Sequence, residues 1–455
     1  MRILQNILTV FLLVLCGYFK LSGQLVDRQF SKAELQTDFQ IFRIKYESQL
    51  ANLYLYSSKP ELDHLLDSLY QNIKPMTELE FYNYITPLSA LVKDGHSNIF
   101  PSEQTIQQHN QHSKFFPFNI YFTDDKMFVV KNFSNDSSIA DGTEILEING
   151  LSAKAIMAFL VSRQVRDGYN EGYAFWILNS YFREYYSYHF GHANNYSLNV
   201  KTTNGSEKKI VVDGLSKNTI SLNRAVRYIQ DKKNIREYLQ IDTSTKAAIF
   251  TIKTWDNKKL NAEIDFVFSQ LARNNVTNLI LDLRDNQGGN FSPAIYLLSH
   301  LLNQPFAYFN EIKFVAGKSD TSQILKNTNE KIVRTYQPNK NPYTGNLYVL
   351  INGGSFSNTG SFCSRIEFYK RGVFIGEETG GNKVIFSGVF GLKLKTVLPH
   401  TKITCENANY RITVTDLKEN TGHGVCPTYL IKPTISDKLQ NKDVVLNAVF
   451  ELLKK

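Results

Sequence analysis

Residues 278–289 read NLILDLRDNQGG and residues 346–357 read NLYVLINGGSFS. In each, an unbroken apolar run of strand length stops at a turn with two adjacent glycines. A strand with no polar side belongs in a sheet covered on both faces, which is the environment of parallel sheets in α/β folds. The second run leads through Ser355 and Ser357 into a helical pattern over 360–370, closed by Gly372. A hydroxyl at such a strand-to-helix turn stands at the carboxyl edge of the sheet. It is close to the partial positive charge of a helix N-terminus, where backbone N–H groups converge. The plainer reading of either turn is a tight turn with a Ser N-cap. A phosphate loop is excluded, since neither turn ends in Lys-Ser/Thr, and the glycine spacing does not fit a dinucleotide site.

Outward from these turns, residues 235–455 alternate strand and helix. AAIFTI (247–252) and GVFIGEET (372–379) read as further buried strands, and 261–273 and 291–302 as amphipathic helices. Upstream the pattern changes. Residues 31–93 carry helical spacing of Leu35, Phe39, Phe42, Tyr46, Leu50 and Leu53 behind a Ser31/Glu34 capping box. A second helix is expected over 61–73 and a third from Thr77 to about Val92, stopped by Lys93-Asp94-Gly95-His96-Ser97. Residues 115–214 read as short strands, with a hairpin turn at Asp124-Asp125. Their order of strand, Gly turn, strand, Asn-Gly turn and helix is that of PDZ-like peptide-binding modules, here with an aromatic insertion over about 165–193. Such modules add an extended peptide to a sheet edge; a β-domain without a ligand is the alternative.

The chain has 455 residues, a net charge of +9, 42% hydrophobic residues, 31 Phe and 25 Tyr. This composition excludes a disordered or fibrous protein. The basic residues are scattered, so the charge reads as a solvated surface and no nucleic-acid partner is expected. Arg2 followed by an apolar stretch at 7–16 and small residues at Ser22-Gly23 reads as a signal peptide over 1–23; lipid attachment at Cys16 is the lesser alternative. No later run is long and apolar enough to span a bilayer, so an exported protein, periplasmic or extracellular, is expected. An oxidising compartment permits a Cys405–Cys426 bridge, leaving Cys363 free in a helix; three buried thiols are the alternative. No paired Cys/His spacing suggests a metal, and no cofactor is expected.

LDLRDNQGG, INGGSFS and RGVFIGEETGG, in this order after a PDZ-like module, resemble the C-terminal processing (tail-specific) serine proteases. The resemblance covers nearly all of the chain beyond residue 23. It implies a crotonase-like α/β core with a helical N-terminal region (24–100), a PDZ-like module (115–214) and a catalytic domain (235–455). It also implies hydrolysis of peptide bonds in protein or peptide substrates, taken in part through their C-termini. The Lys of the bacterial Ser–Lys dyad matches Asn382, with Lys383 one residue off. Asp94-Gly95-His96-Ser97 and the segment from Glu419 to Pro427 instead resemble the tricorn-core-like branch. There a His from the N-terminal region is the base and a Glu from the C-terminal part completes the site. That branch's companion Ser precedes its His; here Gly95 does, and Ser97 follows.

The resemblance therefore implies Ser357 as nucleophile, His96 as base and Glu419 in the hydrogen-bond network, with oxyanion N–H groups from Gly288 or Gly289 and from Asn358. Ser97, Ser355 and Lys383 are secondary candidates. Two other readings remain at this level: a Ser–Lys dyad using the shifted Lys383, and a peptide-binding protein on the same fold that has lost catalysis.

Overall fold

Six strands form the sheet that carries the Gly-Gly turns, in the order Tyr429–Leu430, Val373–Gly376, Asn346–Ile351, Asn278–Asp282, Ala247–Thr251 and Leu239–Asp242. All neighbours run parallel except the edge strand Leu239–Asp242. The structure is a computed structural model and describes residues 28–228, 238–314, 332–388 and 394–454. The expected signal peptide, with Cys16, lies outside the described residues.

Alternation along these strands sends Phe250, Leu281 and Val349 to one face and Ile249, Ile280, Leu350 and Ile375 to the other. The first set meets the helices Leu260–Arg273, Phe291–Leu301 and Asn358–Phe368; the second meets the helix Val444–Leu453. Covering both faces is what the apolar strands require. Arg284 pins the last helix by bonding Asp282 and Asp443, whose carboxylates are nearly buried.

The N-terminal helices Lys32–Gln49, Lys59–Gln71 and Glu78–Ile85 each begin at a capping box, including one at Ser58/Glu61. The expected third helix is divided, because Pro87 has no N–H to continue it and opens a separate helix, Pro87–Val92. These helices bury Phe39, Phe42, Phe81 and Tyr82 against Leu398, Ile403 and Cys405 from near the other end of the chain. The buried Asp38 carboxylate seals the contact by accepting from the N–H groups of His400 and Thr401. Strand Asn98–Phe100 then pairs antiparallel with Thr404–Asn407. That pairing overturns the expected disulfide. Cys405 is buried inside it opposite Ile99, Cys426 is exposed, and both are free thiols, as is buried Cys363.

Between these regions, five antiparallel strands run from Phe118–Thr123 to Glu207–Asp213, with Asp124 and Asp125 at positive φ in the hairpin turn. The aromatic stretch is the helix Gly172–Phe190, which buries Leu178, Phe182 and Tyr186 in the core of this β-unit. The same helix closes the unit's edge strand. Asn179 accepts from Phe122 N–H at 2.7 Å and donates to Phe122 C=O at 3.4 Å, while Arg183 bonds Phe118 C=O and Asn119. One amide side chain thus takes the two bonds that an added strand would make.

Replacing Asn179 by Ala should raise hydrogen exchange over residues 118–123 about tenfold, the cost of one net hydrogen bond, while the Ala247–Thr251 strand stays protected. Mass-spectrometric exchange on the intact chain reads this directly. Unchanged exchange at Phe122 would mean that the edge is held by other contacts.

Candidate active site

The turn after strand Asn346–Ile351 is built by its own polar residues. Ser355 donates to Leu283 C=O at 2.9 Å and accepts from Asn352 N–H at 3.1 Å. Its hydroxyl is fully buried and ties the two Gly-Gly turns together, so it is a structural bolt. Ser357 is the N-cap of the helix Asn358–Phe368 with φ 54° and ψ −124°. A non-glycine residue in that region costs about 1–3 kcal/mol. The strain turns the hydroxyl out of the sheet and is held in place by Gly288, where a Cβ would stand 2.8 Å from Ser357 Cβ.

His96 reaches this point from the N-terminal helices. Helix Pro87–Val92 ends at Lys93 in the left-handed region, and Asp94 Oδ1 then accepts from His96 N–H at 3.0 Å. The pairing of Asn98–Phe100 holds the other side of the turn. His96 Nε2 lies 2.9 Å from Ser357 Oγ. The imidazole stacks on Phe356 (4.7 Å), Phe356 on Tyr173 (3.8 Å) and Tyr173 on Trp176 (5.9 Å). Trp176 closes the row by donating to Asp285 at 2.9 Å. The aromatic helix therefore orients the imidazole as well as filling its own core.

Two acids that sequence reasoning passed over complete the surroundings. Asp167 Oδ1 accepts from Gly95 N–H at 2.7 Å and Oδ2 from Asn382 N–H at 3.3 Å. Asp94 Oδ2 accepts from Ser387. One ring nitrogen of His96 and one oxygen of each carboxylate lie within 4.8 Å of one another, a spacing a metal ion could bridge. Burial, with Asp94 adding repulsion, pushes the Asp167 carboxyl up to about 7; burial also raises Asp94. A Cβ at residue 95 would meet Asp167 Oδ1 and Phe356 Cζ at 2.7 Å, which explains the glycine before His96. Only the Asp-Gly-His turn hinted at this; Asp167 sits in a stretch read as an insertion.

Among the oxyanion candidates, Gly288 N–H already donates to Asn286 Oδ1 at 3.0 Å. The N–H groups of Gly289 and of Asn358, first residue of its helix, have no acceptor among the described residues. Glu419 is not brought to His96: it is exposed on the short turn Leu417–Glu419, and its neighbour Asn420 is the residue that reaches inward, accepting from Asn382 at 3.1 Å. Lys383 is turned away into an ion pair with Glu367 at 3.0 Å. Ser97 is buried behind the His96 turn, its N–H on Asp94 C=O. A cleft of roughly 2160 Å³ opens between the β-unit and the sheet, lined by Tyr121, Phe122, Trp176, Asp285 and Lys432. Neither Ser357 nor His96 lines it, since the aromatic row stands between.

Residues 246–431, which hold both Gly-Gly turns and Ser357, match the family description "Peptidase family S41". These residues form a peptidase family S41 domain. The chain is 26% identical over 131 residues to the chloroplastic carboxyl-terminal-processing peptidase 2 of Arabidopsis thaliana, a match spanning 29% of this chain and 23% of that protein's length. In three dimensions it is similar to mature CPAF, with TM-score 0.64 and 15% identity over 93% of this chain and 98% of that one. A CPAF mutant gives TM-score 0.66 at 13% identity over the same shares. At such identities the likeness is one of fold, and it extends well beyond the S41 domain.

The crowding at Gly288 yields a test. Gly288→Ala should cost about 1–3 kcal/mol and abolish labelling of Ser357 by a fluorophosphonate, because strain and clash fall on the same atoms. Gly150→Ala, at φ +80° with nothing within 4 Å of its Cβ, should leave labelling intact. Equal labelling of the two variants would remove Gly288 from the site.

Proposed function

We propose that this chain is an exported serine endopeptidase in which Ser357 attacks the scissile carbonyl and His96 is the general base. The observation that carries the reading is the 2.9 Å contact between His96 Nε2 and the hydroxyl of Ser357 in its strained turn. His96 takes the hydroxyl proton as the Ser357 Oγ–C bond forms, then gives it to the leaving amine as the peptide C–N bond breaks. Water hydrolyses the acyl-enzyme by the same route reversed. The N–H groups of Gly289 and Asn358 receive the oxyanion. Asp94 and Asp167 supply the negative charge that favours the imidazolium, and they take the place beside His96 where Glu419 was expected in the hydrogen-bond network. A Ser–Lys dyad finds no support, with Lys383 bound to Glu367.

The core is read as crotonase-like (235–455), the β-unit as a PDZ-like module (115–214), and 24–100 as the helical region that brings the base. A PDZ-like module would take substrate C-termini at the strand Phe118–Thr123, and such a peptide must first displace Asn179. Export rests on the signal-like residues 1–23, and among the described residues no helix is long and apolar enough to cross a membrane.

Casein cleavage by residues 24–455 tests the assignment. Ser357→Ala should lower turnover at least about 10³-fold and His96→Ala about 10²–10⁴-fold, whereas Lys383→Ala, which breaks a partly exposed pair, should stay within about twofold. Loss in Lys383→Ala with His96→Ala unaffected would overturn the base. Absence of cleavage with tight binding of peptide C-termini would make the chain a binding protein.

The pH dependence follows from Asp167. Its carboxyl ionises as pH rises through about 7, and the new charge beside His96 favours proton uptake from Ser357. Turnover should therefore climb between pH 6 and 8, and Asp167→Asn should flatten the climb. Stability moves oppositely. The folded pKa lies above the unfolded value of about 3.9, so this group's contribution is full below pH about 4 and is lost as pH rises through about 7. Thermal scans should show Tm falling over that interval in the parent and less steeply in Asp167→Asn; parallel curves would refute the role.

A further inference from the structure

Besides Ser355, the side chain of Asn358 joins the two oxyanion turns. Asn358 is completely buried; its Nδ2 donates to Asn290 C=O at 2.9 Å, and its Oδ1 accepts from Tyr308 Oη at 2.7 Å. Asn290 directly follows Gly289, and its own N–H donates to Asp256 Oδ1 at 3.0 Å. Asn358 thus bonds with its side chain to the turn that offers one oxyanion N–H, while its backbone offers the other.

Tyr308 is held as firmly. Arg365, from the same helix as Asn358, donates from Nε to Tyr308 C=O at 2.8 Å and from its terminal nitrogen to Asn310 Oδ1 at 2.8 Å. The Asn290 carbonyl can only accept, and burial holds the Tyr308 phenol well above its ordinary value, so that it stays protonated and can donate to the amide oxygen. That fixes which way the Asn358 amide faces, with its nitrogen toward Asn290. On the far side, Trp255 N–H donates to Gly288 C=O at 3.1 Å and Trp255 Nε1 to Thr359 Oγ1 at 2.9 Å, so Trp255 is a further bridge between the two turns.

We propose that Tyr308 and the Asn358 side chain are positioning residues that hold the N–H groups of Gly289 and Asn358 at the separation an oxyanion requires. The proposal rests on Ser357 being the nucleophile. It assigns a function to two buried polar groups that apolar residues of similar size could replace if packing were their purpose. Oxyanion donors act by being fixed before charge develops, and a misplacement of about 1 Å can cost about 10²-fold in rate. Neither group touches His96, so the proton-transfer step should be spared when they are changed.

The test is the full chain carrying Tyr308→Phe, which removes one oxygen, and separately Asn358→Ala. Casein hydrolysis gives kcat and KM between pH 5 and 9, and fluorophosphonate labelling gives the reactivity of Ser357 toward a reagent whose oxygen enters the oxyanion site. For Tyr308→Phe we expect kcat and the labelling rate to fall together by about tenfold, with KM within twofold and the acidic limb of the pH profile unmoved. Asn358→Ala should lose about 10²-fold; if it does not fold, Tyr308→Phe decides alone. Unchanged kcat in Tyr308→Phe overturns the proposal. So does a fall with an equal rise in KM or a displaced acidic limb, which would mean a general loosening. A parent chain that neither cleaves casein nor labels at Ser357 overturns the peptidase reading itself, and this proposal with it.

Discussion

The constraint on which the rest depends is the left-handed backbone at Ser357. A serine there is held against its own conformational preference, and every neighbour contributes to the holding. Ser355 bolts the turn to the strand ending at Leu283, Gly288 leaves room for the Ser357 Cβ, and the helix beginning at Asn358 follows at once. The strained turn and the placement of the Ser357 hydroxyl against His96 occur at the same residue.

A second set of forces brings the imidazole to that hydroxyl across 261 positions of sequence. The N-terminal helices cannot bury their apolar faces alone; they do so against Leu398, Ile403 and Cys405, with Asp38 satisfying the backbone there. Strand pairing through Asn98–Phe100 then leaves the His96 turn little freedom. The aromatic helix adds a lateral wall, the row from Trp176 to Phe356, and the same helix covers the edge strand of the β-unit. The edge contact at Asn179 and the rings of Tyr173 and Trp176 thus lie on one helical segment, ahead of the kink at Tyr181.

The buried carboxylates show how much a local environment can change a residue's part. Asp94 and Asp167 are acids that water would keep ionised, yet burial raises both, and Asp94 adds repulsion at Asp167. Glu419, which the family resemblance implied in the hydrogen-bond network, is exposed. An acid can tune a base only where water does not screen it, and burial is a tertiary property.

Much of the fold was legible because strand and helix periodicities are local. The apolar runs at 247–252, 278–283 and 346–351 could only be strands covered on both faces, and the capping boxes at Ser31 and Thr77 marked helix starts. Ser357 and His96 were named through the family resemblance of short motifs, and such motifs are also local. What local sequence does not carry is which distant segments touch. The aromatic stretch read as an insertion became a wall of the site, and Asp167 became a neighbour of Gly95. Cys405 was drawn into a strand pair away from Cys426, and Lys383 found Glu367 instead of Ser357. By itself the sequence determined the elements and the two Gly-Gly turns, since these depend on neighbours along the chain. Only the tertiary structure decided which acids, rings and N–H groups surround Ser357, because burial and packing bring together residues that the chain keeps far apart.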